Sequence, residues 1–302
     1  MKLDIIKDEA AWLEKRKGYI TSTESSSLFG LQMPSLPTAF ELWYIKRGEM
    51  TNEVSVNARM VWGRRMEDVI ARGIAEDQGW KLNPMHVFAY CDDDRMGSSF
   101  DHSIECPING HALLEIKTIS YREYKEKFIE DDEKDADGQP VFIEAPPYYE
   151  VQVQHEMETL NRFDKCCLAV FIMDTRDVKL LWRDRDRDFG SSIRKKIREF
   201  WASEKPPAPD LVADSELLAR MHRANSNDSA LDATKNAEFD IWAASYLDET
   251  KREKSAKEEK KRLRSQMILA MGDNNTAWCN TARVSNKSKF MVTATKEKTN
   301  DK

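Results

Sequence analysis

The stretch "HALLEIKTIS", residues 111–120, has the make-up of a buried strand with two charges set into it. Ala112, Leu113, Leu114, Ile116 and Ile119 suit a sheet core, whereas Glu115 and Lys117 do not. Residues two apart on a strand project from the same face, so an acid and a base stand side by side there. Burying such groups costs free energy unless each finds a partner. Two readings are open: a surface pair on the wet face of a sheet, or a charged cleft cut into the core.

Working outward, "RMGSSFDHSIE" (95–105) is a second strand-like run, joined to the first by a turn at "PINGH" (107–111), and it supplies Asp101. Asp101, Glu115 and Lys117 then form an Asp…Glu-x-Lys pattern on adjacent strands. Two carboxylates a few ångström apart repel in a poorly solvated site. A divalent cation relieves that repulsion and gains the hard oxygen ligands magnesium prefers. Lys117 would hold or help deprotonate an attacking water and stabilise charge on a phosphodiester. The alternative has Asp101 capping a turn and the other two paired in solvent.

Two helices add polar candidates. Residues 57–79 carry Trp62, Met66, Val69, Ile70 and Ile74 on one stripe before Gly79, which places Glu67 at the stripe's edge near Gly63. Glu67 is then an inward acid, able to serve a second metal or to act through water, or a bordering acid facing solvent. In "PPYYEVQVQHEMETLNRF" (146–163), a proline-started helix, Gln152 borders the arc of Tyr149, Val153, Met157 and Leu160. It is either a half-buried amide satisfied by backbone or a ligand for water or a phosphate oxygen.

The rest of the chain frames these motifs. Residues 8–30 predict two short helices divided at Gly18 and closed by Gly30, and "TAFELWYIKRGE" (38–49) a third. "HVFAY" (86–90), "KCCLAVFIMD" (165–174) and "VKLLWRD" (178–184) predict strands, and "DRDFGSSIRKKIREFWAS" (186–203) a helix. Residues 125–147, acidic and interrupted by Gly and Pro, predict a flexible surface loop. The chain divides into a body over 1–210, ending at "EKPPAPD", and an extension over 211–302. The extension holds a charged helix around "ETKREKSAKEEKKRLRSQ" (249–266), a small hairpin within 277–295 and a polar, partly disordered tail.

Of the 302 residues, 40% are hydrophobic and 33% charged, which suits a globular body with solvated appendages. No run reaches the ~18 apolar residues of a membrane helix, and "MKLDIIKDEAAW" lacks a signal-peptide pattern, so a cytoplasmic protein is expected. Cys91, Cys106, Cys166, Cys167 and Cys279 fit no zinc or iron-sulphur spacing and read as reduced thiols. A net charge of −6 argues against a globally basic nucleic-acid binder but leaves room for a local basic groove.

Five motifs in order, "WLEKRKGYITSTE" (12–24), "WGRRMED" (62–68), "GSSFDH" (97–102), "LLEIKT" (113–118) and "YYEVQVQHEM" (148–157), resemble those of the lambda-exonuclease/YqaJ-like viral recombinases. That family is a branch of the PD-(D/E)xK nucleases, and the likeness covers about residues 10–205. It implies an α/β fold of mixed type: a restriction-endonuclease-like core with a central mixed sheet flanked by helices, plus the charged helical extension. It implies that Asp101, Glu115 and the backbone carbonyl of Ile116 bind Mg2+, which Mn2+ can replace, with Glu67 assisting. Lys117 and Gln152 would handle water and phosphate, and Arg16, Thr23 and Ser99 would line a pocket for a 5′-phosphate. The implied activity is processive 5′-to-3′ digestion of one strand of linear double-stranded DNA from its ends. The implied partners are two further copies in a homotrimer ring and a single-strand annealing protein, in a bacterial host or encoded by a phage, with no membrane. Phe100 stands where the family has proline, and it either packs or touches DNA. Alternatives are a structure-specific or restriction-type endonuclease, or a noncatalytic DNA-binding or assembly subunit of the same fold.

Overall fold

The computed structural model describes residues 1–6, 8–51, 58–134, 140–227 and 229–294. It resolves into two units, Met1–Ser226 and Asn227–Lys302. The first holds β1 (Lys2–Ile5), α1 (Glu9–Lys17), α2 (Ser22–Ser25), α3 (Ala39–Lys46), α4 (Ala58–Gln78), β2 (Lys81–Pro84), β3 (Val87–Cys91), β4 (Met96–Ser99), β5 (His102–Cys106) and β6 (Gly110–Ile119). Then follow α5 (Tyr121–Lys127), β7 (Ile129–Glu130), β8 (Ile143–Glu144), α6 (Pro147–Leu160), β9 (Lys165–Ile172), β10 (Asp177–Asp184), α7 (Arg187–Ala202) and α8 (Ser215–Asn225).

The central sheet runs β10-β9-β6-β5-β2. Only the β6–β9 pair is parallel, so the sheet is mixed, as expected. A parallel neighbour needs a long crossover, and α6 lies within it. Strand β6 is dressed differently on its two faces. Ala112, Leu114 and Ile116 pack with Ile70, Ala71 and Ile74 of α4. Leu113 and Ile119 pack with Tyr149, Val153 and Met157 of α6. Glu115 and Lys117 alternate with the α4-facing residues, so the pair opens toward α6.

The run 95–105 is not one strand. It breaks at Phe100 and Asp101, with β4 in a small antiparallel sheet ordered β1-β3-β4 and β5 in the central sheet. Phe100 is 6% exposed, in the core with Ala89, Leu113 and Tyr124, which decides for packing over a DNA contact. Gly97 of β4 admits no larger residue: a Cβ there would stand 2.5 Å from the ring of buried Phe88 and 3.2 Å from Tyr19 Cβ. Gly97→Ala is therefore expected to cost about 1–3 kcal/mol in urea unfolding, through overpacking.

Three expectations are corrected. Val69 and Trp62 are 69% and 58% exposed, so the inward stripe of α4 is Met66, Ile70, Ala71, Ile74 and Ala75. One helix face can meet the sheet, and Trp62, on its flank, stacks with Arg65 at 5.2 Å instead. Residues 125–147 are not a free loop: α5 and the β7–β8 hairpin anchor them by burying Tyr124, Phe128, Ile143 and Ala145, while 135–139 lie outside the described residues. The boundary falls at 226 rather than 210. Asp214, 2% exposed, accepts from Thr38 Oγ1 at 2.7 Å and from the Asp210 amide at 2.7 Å, and so ties α8 to the body.

The second unit consists of α9 (Ala237–Met271) and the antiparallel strands β11 (Thr276–Trp278), β12 (Ala282–Asn286) and β13 (Phe290–Ala294). The charged segment 249–266 is helical and exposed, as expected, and the small hairpin is three-stranded. The tail from 295 lies outside the described residues. All five cysteines are free thiols, and among the described residues no helix is long and apolar enough to cross a membrane.

Candidate active site

The pairing of β5 with β6 reaches His102–Leu114 and stops. The next β6 amide on that edge bonds a side chain instead, Ile116 N–H donating to Asp101 Oδ2 at 2.9 Å. The strand break at Phe100 thus aims Asp101 back at β6. There Lys117 Nζ donates to Glu115 Oε1 at 2.6 Å, and Gln152 Nε2 of α6 donates to the same oxygen at 2.6 Å. From the α4 side, Glu67 shares a hydrogen bond with Asp101.

The electrostatics is that of crowded acids. Burial, then the charges of Glu115 and Glu67, hold the Asp101 carboxyl well above the usual carboxylate range. Burial and the Glu115 charge push Glu67 up to about 7. Burial works against the Lys117 ammonium, but Glu115, Tyr149 and Asp101 outweigh it and keep the lysine protonated. A carboxyl–carboxyl hydrogen bond needs a shared proton, which those raised values supply.

A cavity of about 160 Å³ joins this centre to a second cluster. Its walls are Arg16, Thr21, Ser22, Thr23, Ser99, Asp101, Glu115, Lys117 and Gln152. The side chains expected for catalysis and for the 5′-phosphate therefore share one cleft, Glu67 meeting it through Asp101. Ile116 serves it through its amide. Arg16, in the last turn of α1, lies 4.6 Å over the Trp12 ring and donates to Thr21 Oγ1 at 3.4 Å. Trp12 Nε1 donates to Ser99 Oγ at 2.9 Å, and the hydroxyl oxygens of Thr21 and Thr23 lie 3.3 Å apart.

Two supports escaped sequence reading. Glu156, 1% exposed and one turn beyond Gln152, accepts from Gln152 Nε2 at 2.9 Å. Burial and the Glu115 charge raise its carboxyl well above the usual range. Gln152 spends both amide hydrogens on Glu115 and Glu156, which leaves its oxygen as the group free for a cleft ligand. The second support is Lys46, whose side chain is 3% exposed. Its Nζ donates to Glu24 Oε2 at 2.8 Å, to Arg16 O at 3.1 Å and to Tyr19 O at 2.7 Å. Glu24 accepts from the Thr21 amide and hydroxyl, both at 2.9 Å. The Thr-x-x-Glu spacing of a capping box announced Glu24. Nothing local announced Lys46, which arrives from α3.

Among the described residues, no three His, Cys, Asp or Glu side chains are grouped as metal ligands. The donor set suits a divalent cation differently. Asp101 and Glu115 offer hard oxygens whose mutual repulsion a cation would relieve, and main chain and water would complete the shell, as magnesium prefers.

The model of the YqaJ-like viral recombinase domain matches residues 11–161, half of the chain. The protein YqaJ of Bacillus subtilis strain 168, described as uncharacterized, is 28% identical over 239 residues, or 74% of this chain and 66% of its own length. The chain thus spans just under two thirds of that relative. Among solved structures, the alkaline exonuclease LHK-Exo of Laribacter hongkongensis is 18% identical with a TM-score of 0.46, covering 72% of this chain and all of that one. A phage-related exonuclease of Haemophilus somnus 129PT is 12% identical with a TM-score of 0.38, covering 72% of this chain and 91% of that one. The matched segment runs from α1 through α6 and contains every residue of the cleft, and the chain belongs to the YqaJ-like viral recombinase domain family.

Proposed function

We propose that this protein is a magnesium-dependent exonuclease that digests one strand of linear double-stranded DNA from 5′ to 3′, leaving 3′ single strands for phage-type recombination. The observation that carries the reading is the single cleft in which an Asp…Glu-x-Lys centre adjoins an arginine- and hydroxyl-lined recess. Asp101 and Glu115, with the Ile116 carbonyl, would hold Mg2+ or Mn2+, and Glu67 would act through water or at a second ion. The bound cation supplies Lewis acidity toward the scissile phosphate and the leaving 3′ oxygen. The chain's own groups do the rest. The Gln152 oxygen accepts from the attacking water, and the Lys117 ammonium donates to the water or the phosphate. As a cation Lys117 orients and stabilises; it is not the base in this protonation state.

Arg16 gives the reaction its end. A guanidinium matches a terminal phosphate in charge and fork geometry, and Thr23 and Ser99 add hydroxyl donors. Holding a 5′-phosphate there fixes which internucleotide bond lies over the acids. In the same reading three copies form a ring around duplex DNA, a single-strand annealing protein takes the product, and the site of action is the cytoplasm. Sedimentation of the purified protein tests the ring.

Incubation with Mg2+ and linear duplex bearing or lacking a 5′-phosphate, beside a closed circle, tests the activity. Degradation of phosphorylated linear ends with an intact circle is expected, and cleavage of the circle would overturn the exonuclease reading in favour of an endonuclease. Arg16→Ala is expected to cut the preference for phosphorylated over hydroxyl ends about tenfold, the value of one hydrogen bond to a charged group. An unchanged preference would remove Arg16 from the recess.

A further inference from the structure

Outside the cleft, charge and aromatic surface concentrate in the second unit. Residues 250–294 carry eleven lysines and arginines against four acids in a chain of net charge −6, and 276–294 contain no acid. The register sets Trp278, Arg283 and Thr293 in one row across the three strands and Ala277, Val284 and Val292 in the next. Adjacent rows face opposite ways. The Ala277–Val284 row turns to α9, where Met267 and Met271 help enclose an apolar cavity of about 190 Å³ that Trp278 and Cys279 also border; Val284 is 6% exposed, and Val292, on the edge strand, is 50% exposed. The Trp278 row is the outer face. Trp278 is 68% exposed, with the Arg283 guanidinium 4.7 Å from its ring centre, and Met291, 53% exposed, lies in the next outward row. Lys287 and Lys289 lie in the β12–β13 turn.

We propose that this face binds single-stranded nucleic acid. An unpaired base stacks on Trp278, and the neighbouring phosphates meet Arg283, Lys287 and Lys289. Packing of Ala277 and Val284 against α9 backs the sheet from behind, and a ring held beside cations is the combination by which proteins track single strands. Duplex DNA keeps its base faces inside the stack and offers Trp278 nothing. A protein-docking patch would have a core depleted of charge, whereas Arg283 sits beside Trp278, the exposed ring of this face. The identity of the strand rests on the exonuclease reading, whose product has this chemistry; the face itself stands on the sheet's geometry.

The test uses the full chain in EDTA, so that no DNA is consumed, with labelled oligothymidylate followed by anisotropy and tryptophan quenching. Trp278→Ala is expected to weaken binding about tenfold, the loss of one stacked base, while Trp278→Phe keeps most of the affinity. Lys287→Glu with Lys289→Glu is expected to flatten the dependence of log affinity on log salt, by about 0.7 for each phosphate that is no longer neutralised. Affinity for a blunt duplex is expected to hold in Trp278→Ala. Unchanged oligothymidylate binding and salt slope in both variants would overturn the site and leave the face to a protein partner, and equal losses on single strand and duplex would overturn its selectivity. Circular dichroism of each variant separates lost binding from lost folding, and the charge reversal, made on exposed residues, reads the site even if Trp278→Ala unfolds the sheet. Failure of the wild type to degrade linear duplex in magnesium would sink the nuclease reading and leave this measurement standing.

Discussion

Asp101→Asn is expected to slow degradation of linear duplex about a thousandfold and, in the same molecule, to raise the melting temperature of the metal-free protein. The first effect follows, in the proposed mechanism, from losing a hard anionic ligand for the cation that would supply several kcal/mol of transition-state stabilisation. The second follows from crowding. Asp101 is buried beside Glu115 and Glu67, and its carboxyl is held well above the usual range. A carboxyl whose folded value exceeds its unfolded value binds more protons when folded, so the metal-free fold loses stability as pH rises from the ordinary carboxylate range toward that raised value. Glu67, pushed up to about 7, acts with the same sign. Asparagine keeps an oxygen for the Ile116 amide and discards the charge. The gain should therefore be present near pH ~8 and fade near pH ~4, where wild-type Asp101 is already neutral. Calorimetry with and without magnesium checks both halves: the cation should raise the wild-type melting temperature far more than the variant's. Retained activity would sink the ligand assignment. A lower melting temperature at every pH would mean that the charge is compensated without metal.

The core of the site was legible because its chemistry violates the pattern around it. Glu115 and Lys117 stand out in an apolar strand, and the structure puts them on the face toward α6, with Asp101 bonded to the next amide. Gln152 and Glu67 were legible as polar groups at the borders of helical stripes. The recess lined by Arg16, Thr23 and Ser99 was readable only as ordered motifs, since these residues come from three elements and no local spacing relates them. What failed did so for tertiary reasons. The strand break at Phe100 leaves no Gly or Pro mark; it exists because β4 and β5 join different sheets. Val69 matches the helical period yet points away, because α4 meets the sheet on one side only. Helix α6 is buried nearly all round, so beyond Gln152 at the border of its apolar arc its polar residues lie on no exposed face that would mark them. Gln154, His155 and Glu158 each find a partner on another element: Gln154 Nε2 donates to Asp184 O at 2.8 Å, His155 bonds Gly97 O at 3.0 Å, and Glu158 accepts from Arg185 at 2.5 Å. Glu156 was hidden among them for the same reason.

Lys46→Met is expected to destabilise the protein by about 3–5 kcal/mol in urea unfolding, the cost of leaving a buried charge without its partner. Glu24 would be that charge. Burial alone would raise its carboxyl, yet Lys46, Arg16 and the Thr21 amide hold it below the ordinary value, so it is an anion at neutral pH. Lys46 also spends its remaining hydrogens on the carbonyls of Arg16 and Tyr19, which pins the turn between α1 and α2. Two roles are thus joined in one ammonium: it neutralises Glu24 and fixes the backbone that carries Arg16 and Thr21 into the cleft. They separate in the double variant Lys46→Met, Glu24→Gln. Removing both charges should recover much of the lost stability, because no uncompensated ion remains. It should not recover the preference for 5′-phosphorylated ends, because the carbonyls of Arg16 and Tyr19 stay without their donor. A double variant as unstable as the single would refute the stranded-charge account. One that regains stability and end preference together would show that Lys46 is a structural counterion with no part in positioning Arg16.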